Sequence, residues 1–124
     1  MQRTDLDTAF ARVAALARAR NLPGVTEDSS YGTPAFKVSG TTFVRLDEAE
    51  TLVLHCPDEQ KALLMEISPE IYFETPHYVG HAVVLIRLGA IQDEELALRL
   101  EDAWRFKAPA KLAAQRPLTP PASD

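Results

Sequence analysis

The sequence predicts an α+β fold whose helices pack on one side of the sheet. The elements are expected in the order N-terminal helix, antiparallel β-meander, middle helix, one or more further strands and C-terminal helix. Three observations predict it. Leu6, Phe10, Val13 and Ala17 recur at a spacing that lines one face of a helix. Short β-rich runs separated by turn residues follow. A second long stretch of helical periodicity begins at Asp93.

The first elements are bounded by turn residues. The helix is predicted over residues 5–20, because the Asn-Leu-Pro-Gly sequence at 21–24 ends its pattern. Residues 25–28 are expected to form a short edge strand.

A two-residue turn at Ser39-Gly40 predicts a β-hairpin. Such a turn pairs Val38 with Thr41 and Phe36 with Phe43, so both phenylalanine rings should share one face.

The second half of the chain alternates strands and helices. Residues 51–56 complete the meander, and a helix follows Pro57, where proline suits a first turn. Its buried face is expected to consist of Leu63, Leu64 and Ile67. Residues 82–88 form the most apolar strand, which we expect at the centre of the sheet. Asp93 is expected to cap the last helix, whose inner stripe is Leu96, Leu100, Ala103 and Trp104.

Composition sets limits on function. The chain has 124 residues, a formal net charge of −5 and a pI of about 5.2. We expect one domain over 1–115 and a Pro-rich tail over 116–124. An acidic balance disfavours a phosphate-binding surface.

The single cysteine excludes an internal disulfide. No stretch resembles a signal peptide or membrane span, so the cytoplasm is the expected location. Nothing in the sequence predicts an oligomeric state.

Four motifs carry a family resemblance. They are, in chain order, Leu22-Pro23-Gly24-Val25, Tyr31-Gly32-Thr33-Pro34-Ala35-Phe36-Lys37-Val38 with Gly40 and Phe43 after it, Cys56-Pro57-Asp58-Glu59-Gln60, and Ala103-Trp104-Arg105 with Ala108-Pro109 and Lys111-Leu112. Their order and spacing over residues 5–114 resemble the MmcQ/YjbR family.

That resemblance implies a compact α+β fold related to the frataxin-like arrangement. Members of the family are often labelled DNA-binding, and the resemblance carries no catalytic residues with it. Two positions depart from the family pattern. Gly40-Thr41 stands where many relatives have Gly-Lys, which removes a hairpin cation. Ala82 follows His81 where many relatives have a tryptophan.

The leading functional hypothesis is a non-enzymatic binding domain with DNA as its ligand. Cations outnumber acids between residues 99 and 116, although such charges also suit a helix C-terminus and solubility. An undistorted hairpin would place Lys37 and Arg45 on opposite faces. We expect phosphate contacts without base readout, from Lys37, Arg45, Arg105, Lys107 and Lys111.

The alternative is a protein-interaction or small-ligand module that uses two loops, 31–34 and 78–81. Its candidate residues are Tyr31, Thr33, Tyr78 and His81. A pocket or apolar patch between these loops would favour this alternative over DNA.

An enzyme is the third alternative. Cys56 precedes a helix, which can activate a thiol, but strand alternation points His55 to the opposite face. His77 and His81 are four residues apart in what Pro76 indicates to be a loop, so no metal site is predicted. Five glycines include no nucleotide-binding motif, and no cofactor is predicted.

Overall fold

The structure is a computed structural model that describes residues 3–30, 33–48 and 50–115, with side chains from residue 8 onward except at 29, 30 and 48. Tyr31 and the Pro-rich segment 116–124 lie outside the described residues. The elements in chain order are α1 (Arg3–Ala19), β1 (Val25–Ser30), β2 (Thr33–Val38), β3 (Thr41–Glu48), β4 (Thr51–His55), α2 (Asp58–Ile67), β5 (Tyr72–Phe73), a 3-10 turn (Pro76–Tyr78), β6 (Val83–Arg87), α3 (Asp93–Lys107) and α4 (Ala110–Ala113).

The strands form one antiparallel sheet in the order β1-β2-β3-β4-β6-β5. This confirms the predicted α+β fold and meander. The apolar β6 lies between β4 and the two-residue β5, so it is an interior strand next to an edge. The predicted first strand is longer by two residues, because Ser29 and Ser30 pair with Pro34 and Thr33. Within the described residues, no helix is both long enough and apolar enough to cross a membrane.

The core lies between the sheet and the helices α1 and α3. Phe36, Phe43 and Trp104 are at most 2% exposed, and Phe10 of α1 stacks on Phe36 with ring centroids 4.9 Å apart. The indole Nε1 of Trp104 donates to the carbonyl of Pro23 at 2.8 Å, which satisfies its one buried polar group. The predicted burial of the three rings is confirmed.

The β2–β3 hairpin contains a bulge that the sequence did not predict. Val38 pairs with Thr41 as expected, but Phe36 pairs with Val44 instead of Phe43. Phe43 is thus an extra residue in β3, and both it and Val44 are buried in the core. An inserted residue reverses the alternation of every residue beyond it.

The buried face of α2 also differs from the prediction. Leu64 is buried, but Leu63 and Ile67 are 54% and 66% exposed. The other buried residue of this helix is Lys61, at 6% exposed. Helical spacing alone favoured Leu63 and Ile67, whereas Lys61 is buried because it has polar partners in a neighbouring loop.

The start of α3 is offset by one residue. Gln92 occupies the N-cap and makes no side-chain cap bond, so the expectation that Asp93 caps the helix was wrong. The Asp93 carboxylate instead accepts a hydrogen bond from Arg12 Nε at 2.7 Å. Arg12 also donates to the carbonyls of Leu88 and Ile91 at 2.6 Å, which ties α1 to this turn.

Candidate functional site

A second apolar cluster lies on the open face, which we define as the sheet face opposite α1 and α3. Val53, Val83 and Leu85 are at most 5% exposed there, and Phe73 and Tyr78 pack against them. Strand residues facing away from the helices would normally be solvated. They are buried because the loop between β5 and β6 folds back over the sheet.

A pocket opens between this loop and the strands. Its volume is about 740 Å³, within the range of roughly 300–1,000 Å³ usual for small-ligand sites. We call it the open-face pocket, and it is lined by Thr33, Arg45, Asp47, Val53, His55, Thr75, His77, Tyr78, His81 and Val83.

The pocket gathers all three histidines of the chain. His55 comes from β4 opposite Val83, and the other two come from the loop. The rings of His77 and His81 are nearly parallel, with an interplanar angle of 14° and centroids 6.3 Å apart. Tyr78 stands almost perpendicular to both. These rings therefore form three sides of an open aromatic box.

The bulge in β3 brings Arg45 to this pocket. Arg45 lies opposite Ala35 on β2 and Val53 on β4, and so on the open face. Its side chain is 12% exposed, donates to the Tyr78 hydroxyl and lies 3.5 Å from the Asp47 carboxylate. Lys37 shares this face by strand alternation, which corrects the expectation that an undistorted hairpin would separate the two cations.

Lys61 holds the loop from the other side. Its ammonium donates to the carbonyls of Tyr78 and His81 at 3.0 and 2.9 Å, and lies 2.7 Å from Glu74 Oε1. All three donor positions of the lysine are thus used. The loop is fixed to α2 through Lys61 and to β3 through Arg45.

His55 is kept neutral in this setting. Burial lowers its pKa, and together with the positive charges of Lys107 and Arg45 it brings the pKa to about 4. The imidazole is therefore uncharged near neutral pH and offers one donor and one acceptor.

Cys56 lies in the helix-side core and not in the pocket. It is fully buried, and burial raises the pKa of its thiol to about 11. A thiol in this state is a poor nucleophile, so the site offers no support for a catalytic Cys56.

The C-terminal cations are distributed differently from Arg45 and Lys37. Arg105 lies 2.8 Å from Glu101, which also accepts from Arg20 at 2.9 Å. Lys107 lies at the end of α3, close enough to affect His55. Lys111 is exposed on α4, and Lys37 lies 3.3 Å from Asp28. Arg105 and Lys37 therefore each lie within ion-pair distance of a carboxylate.

Sequence reasoning found part of the pocket. The structure brings together Thr33, Tyr78 and His81 from the two predicted loops, whereas Tyr31 lies outside the described residues. Sequence reasoning did not identify Arg45 as a pocket residue, because the bulge has no sequence signature here. It also did not identify Lys61 as the residue that holds the loop. The one available signal was the continuous apolar run of β4, which indicates a strand covered on both faces.

No three His, Cys, Asp or Glu side chains in the described ranges converge in a way that could hold a metal ion. The fold and the site together define a class: a small α+β domain with a histidine-rich pocket on the sheet face opposite its main helices. The chain belongs to the YjbR family, whose sequence model matches residues 20–106.

The chain is similar to an uncharacterised protein of Mycobacterium bovis and to uncharacterised proteins from two strains of Mycobacterium tuberculosis. Each is 38% identical over 52 residues, which is 42% of this chain. The match spans about 40% of the length of each relative. No solved structure matches the chain significantly.

Proposed function

We propose that this chain is a small-ligand-binding domain and that the open-face pocket is its binding site. The observation that carries the proposal is the pocket itself, a cavity of about 740 Å³ between the two loops that the sequence singled out. A concave site with an apolar floor and a few convergent polar groups is the usual form of a ligand site.

The construction of the wall supports binding over simple packing. Tyr78 is half-buried and contacts Arg45, while the adjacent His77 and His81 are exposed at the rim. The loop that carries them is held from both sides, by Lys61 and by Arg45. A wall fixed in this way loses little conformational entropy when a ligand binds.

DNA binding remains a prediction that the geometry favours less. Phosphate contacts need several cations on one surface, and here Arg105 is engaged with Glu101 while Arg45 contributes to the pocket. A gel-shift titration over salt concentration tests it directly. Binding that weakens steeply with added salt would support DNA as a ligand.

Ligand binding is tested by NMR chemical-shift mapping with a library of small fragments. We expect binders to shift the amide signals of Val53, His55 and Val83. Thr75→Phe should weaken fragment binding at least tenfold, because the larger side chain occupies the pocket. The substitution should not disturb the turn, since the Thr75 side chain makes no cap hydrogen bond. Thr51→Phe is the matched control, since Thr51 lies on the same sheet face outside the pocket.

Two outcomes would refute the proposal. One is a library in which no compound perturbs the pocket signals of the folded protein. The other is equal weakening by both phenylalanine variants, which would place the binding elsewhere.

A further inference from the structure

Most polar groups that line the pocket can donate a hydrogen bond. Arg45 can only donate, whereas the imidazoles and the hydroxyls of Thr33, Thr75 and Tyr78 can donate as well as accept. Among the described residues that line the pocket, Asp47 alone carries a carboxylate, and its side chain is 39% exposed against 12% for Arg45. The buried part of the wall therefore carries a cation and the outer part an acid.

The local field has the same sign. Burial is the larger cause of the lowered His55 pKa, and the charges of Lys107 and Arg45 add to it by disfavouring a proton there. A field that disfavours added positive charge favours a negative group in the same place. Lys107 lies outside the lining residues, so it acts on the pocket only through this field.

The floor of the pocket is apolar. Val53 and Val83 line it with branched side chains, of which 2% and 5% remain accessible beneath the loop. Such a surface suits a flat hydrocarbon or aromatic body, and the parallel rings of His77 and His81 border it.

We propose that the ligand of the open-face pocket is a small organic anion, with a ring-sized apolar body on the valine floor and a carboxylate or phosphate group at Arg45. This inference rests on the proposed function. Arg45 is then the specificity-determining residue, because its planar guanidinium can hold an anion through paired hydrogen bonds. The bound anion joins or displaces the Tyr78 hydroxyl, and the exposed Asp47 turns towards solvent.

The test compares four probes of similar size and different charge: benzoate, phenyl phosphate, benzamide and benzylamine. Binding to the wild-type protein is followed by NMR titration at pH 7.5. We expect at least one of the two anions to bind about tenfold or more tightly than benzamide, since a hydrogen bond to a charged group is worth roughly that factor. Which anion binds better distinguishes a carboxylate from a phosphate ligand.

Three variants locate the effect. Arg45→Gln should reduce the preference for the anion to near parity, whereas Lys37→Gln, which removes a cation from the same sheet face outside the pocket, should leave it unchanged. Asp47→Asn should strengthen anion binding about threefold by removing a nearby negative charge. This gain does not depend on whether the Arg45 variant folds well.

The outcomes separate this inference from the proposed function. Benzamide or benzylamine binding as tightly as the anions would overturn the anion assignment while leaving the pocket a ligand site. Anion binding that Asp47→Asn leaves unchanged or weakens would also overturn it, as would equal losses from Arg45→Gln and Lys37→Gln. Failure of all four probes and of the fragment library would refute both.

Discussion

Replacement of Lys61 by methionine should destabilise the protein and release the pocket loop. Methionine keeps an unbranched apolar stem like that of lysine but removes the ammonium group. The carbonyls of Tyr78 and His81 then lose a donor, and Glu74 loses the ammonium 2.7 Å from its carboxylate.

The magnitude follows from how well each orphaned group can reach water. Removing one partner of a fully buried ion pair costs roughly 3–5 kcal/mol. Glu74 is 30% exposed and His81 is exposed, so part of that cost is recovered by hydration. We therefore expect a loss of about 2–3 kcal/mol in the free energy of unfolding. For a domain of this size that lowers Tm by on the order of 10 °C.

Urea and thermal unfolding measure the loss, and hydrogen exchange locates it. The amides of Tyr78 and His81 donate within the loop, and we expect them to exchange at least tenfold faster in Lys61→Met. Lys111→Met is the matched control, because Lys111 is exposed on α4, and it should change stability by less than about 0.5 kcal/mol. An equally small effect of Lys61→Met, with unchanged loop exchange, would refute the reasoning.

Three further predictions follow from single positions. Gly24→Ala should lower the free energy of unfolding, measured with urea, by about 1–2 kcal/mol, because Gly24 has φ +72° and an added Cβ would lie 2.7 Å from Leu112 Cδ1. Adding Leu112→Ala should relieve the clash but not the backbone strain, so complete recovery of stability would contradict the strain argument. The native His55 pKa of about 4 lies below its ordinary 6.5, so the unfolded chain is protonated first as the pH falls. Stability should therefore decrease between about pH 6.5 and 4, by on the order of 1–2 kcal/mol for this partly exposed group. Unfolding measured at several pH values should show this decrease in the wild type and not in His55→Asn, and identical pH profiles would count against it. With a pKa of about 11, Cys56 carries about a hundredfold less thiolate than an ordinary thiol. Iodoacetamide at pH 8 should therefore modify the native protein far more slowly than the urea-unfolded chain. Comparable rates would show that the thiol is accessible.

The sequence predicted the architecture because its main signals are local. The spacing of Phe10, Val13 and Ala17 and the turn at Ser39-Gly40 depend on neighbours along the chain. The same rules failed for Leu63 and Ile67 of α2, since helical periodicity cannot tell which face meets the rest of the protein. Lys61 is buried instead, because its ammonium group contacts polar partners 13 to 20 residues further along the chain.

The pocket was harder to predict because it depends on contacts distant in sequence. The two loops were identified from their composition, but His55 joins His81 only through the pairing of β4 with β6. Arg45 was assigned to a face by strict alternation, and the bulge reverses that assignment. A one-residue irregularity is therefore sufficient to move a cation from one surface of the sheet to the other.

The extra residue in β3 also affects how related sequences should be compared. In a hairpin of the same length without the bulge, position 44 and not position 45 would lie opposite Ala35. A homologue lacking the irregularity would need its guanidinium at the place of Val44 to present the same charge to the open face. A column-by-column sequence alignment would then score that cation as lost, although it had moved by one residue together with the strand pairing.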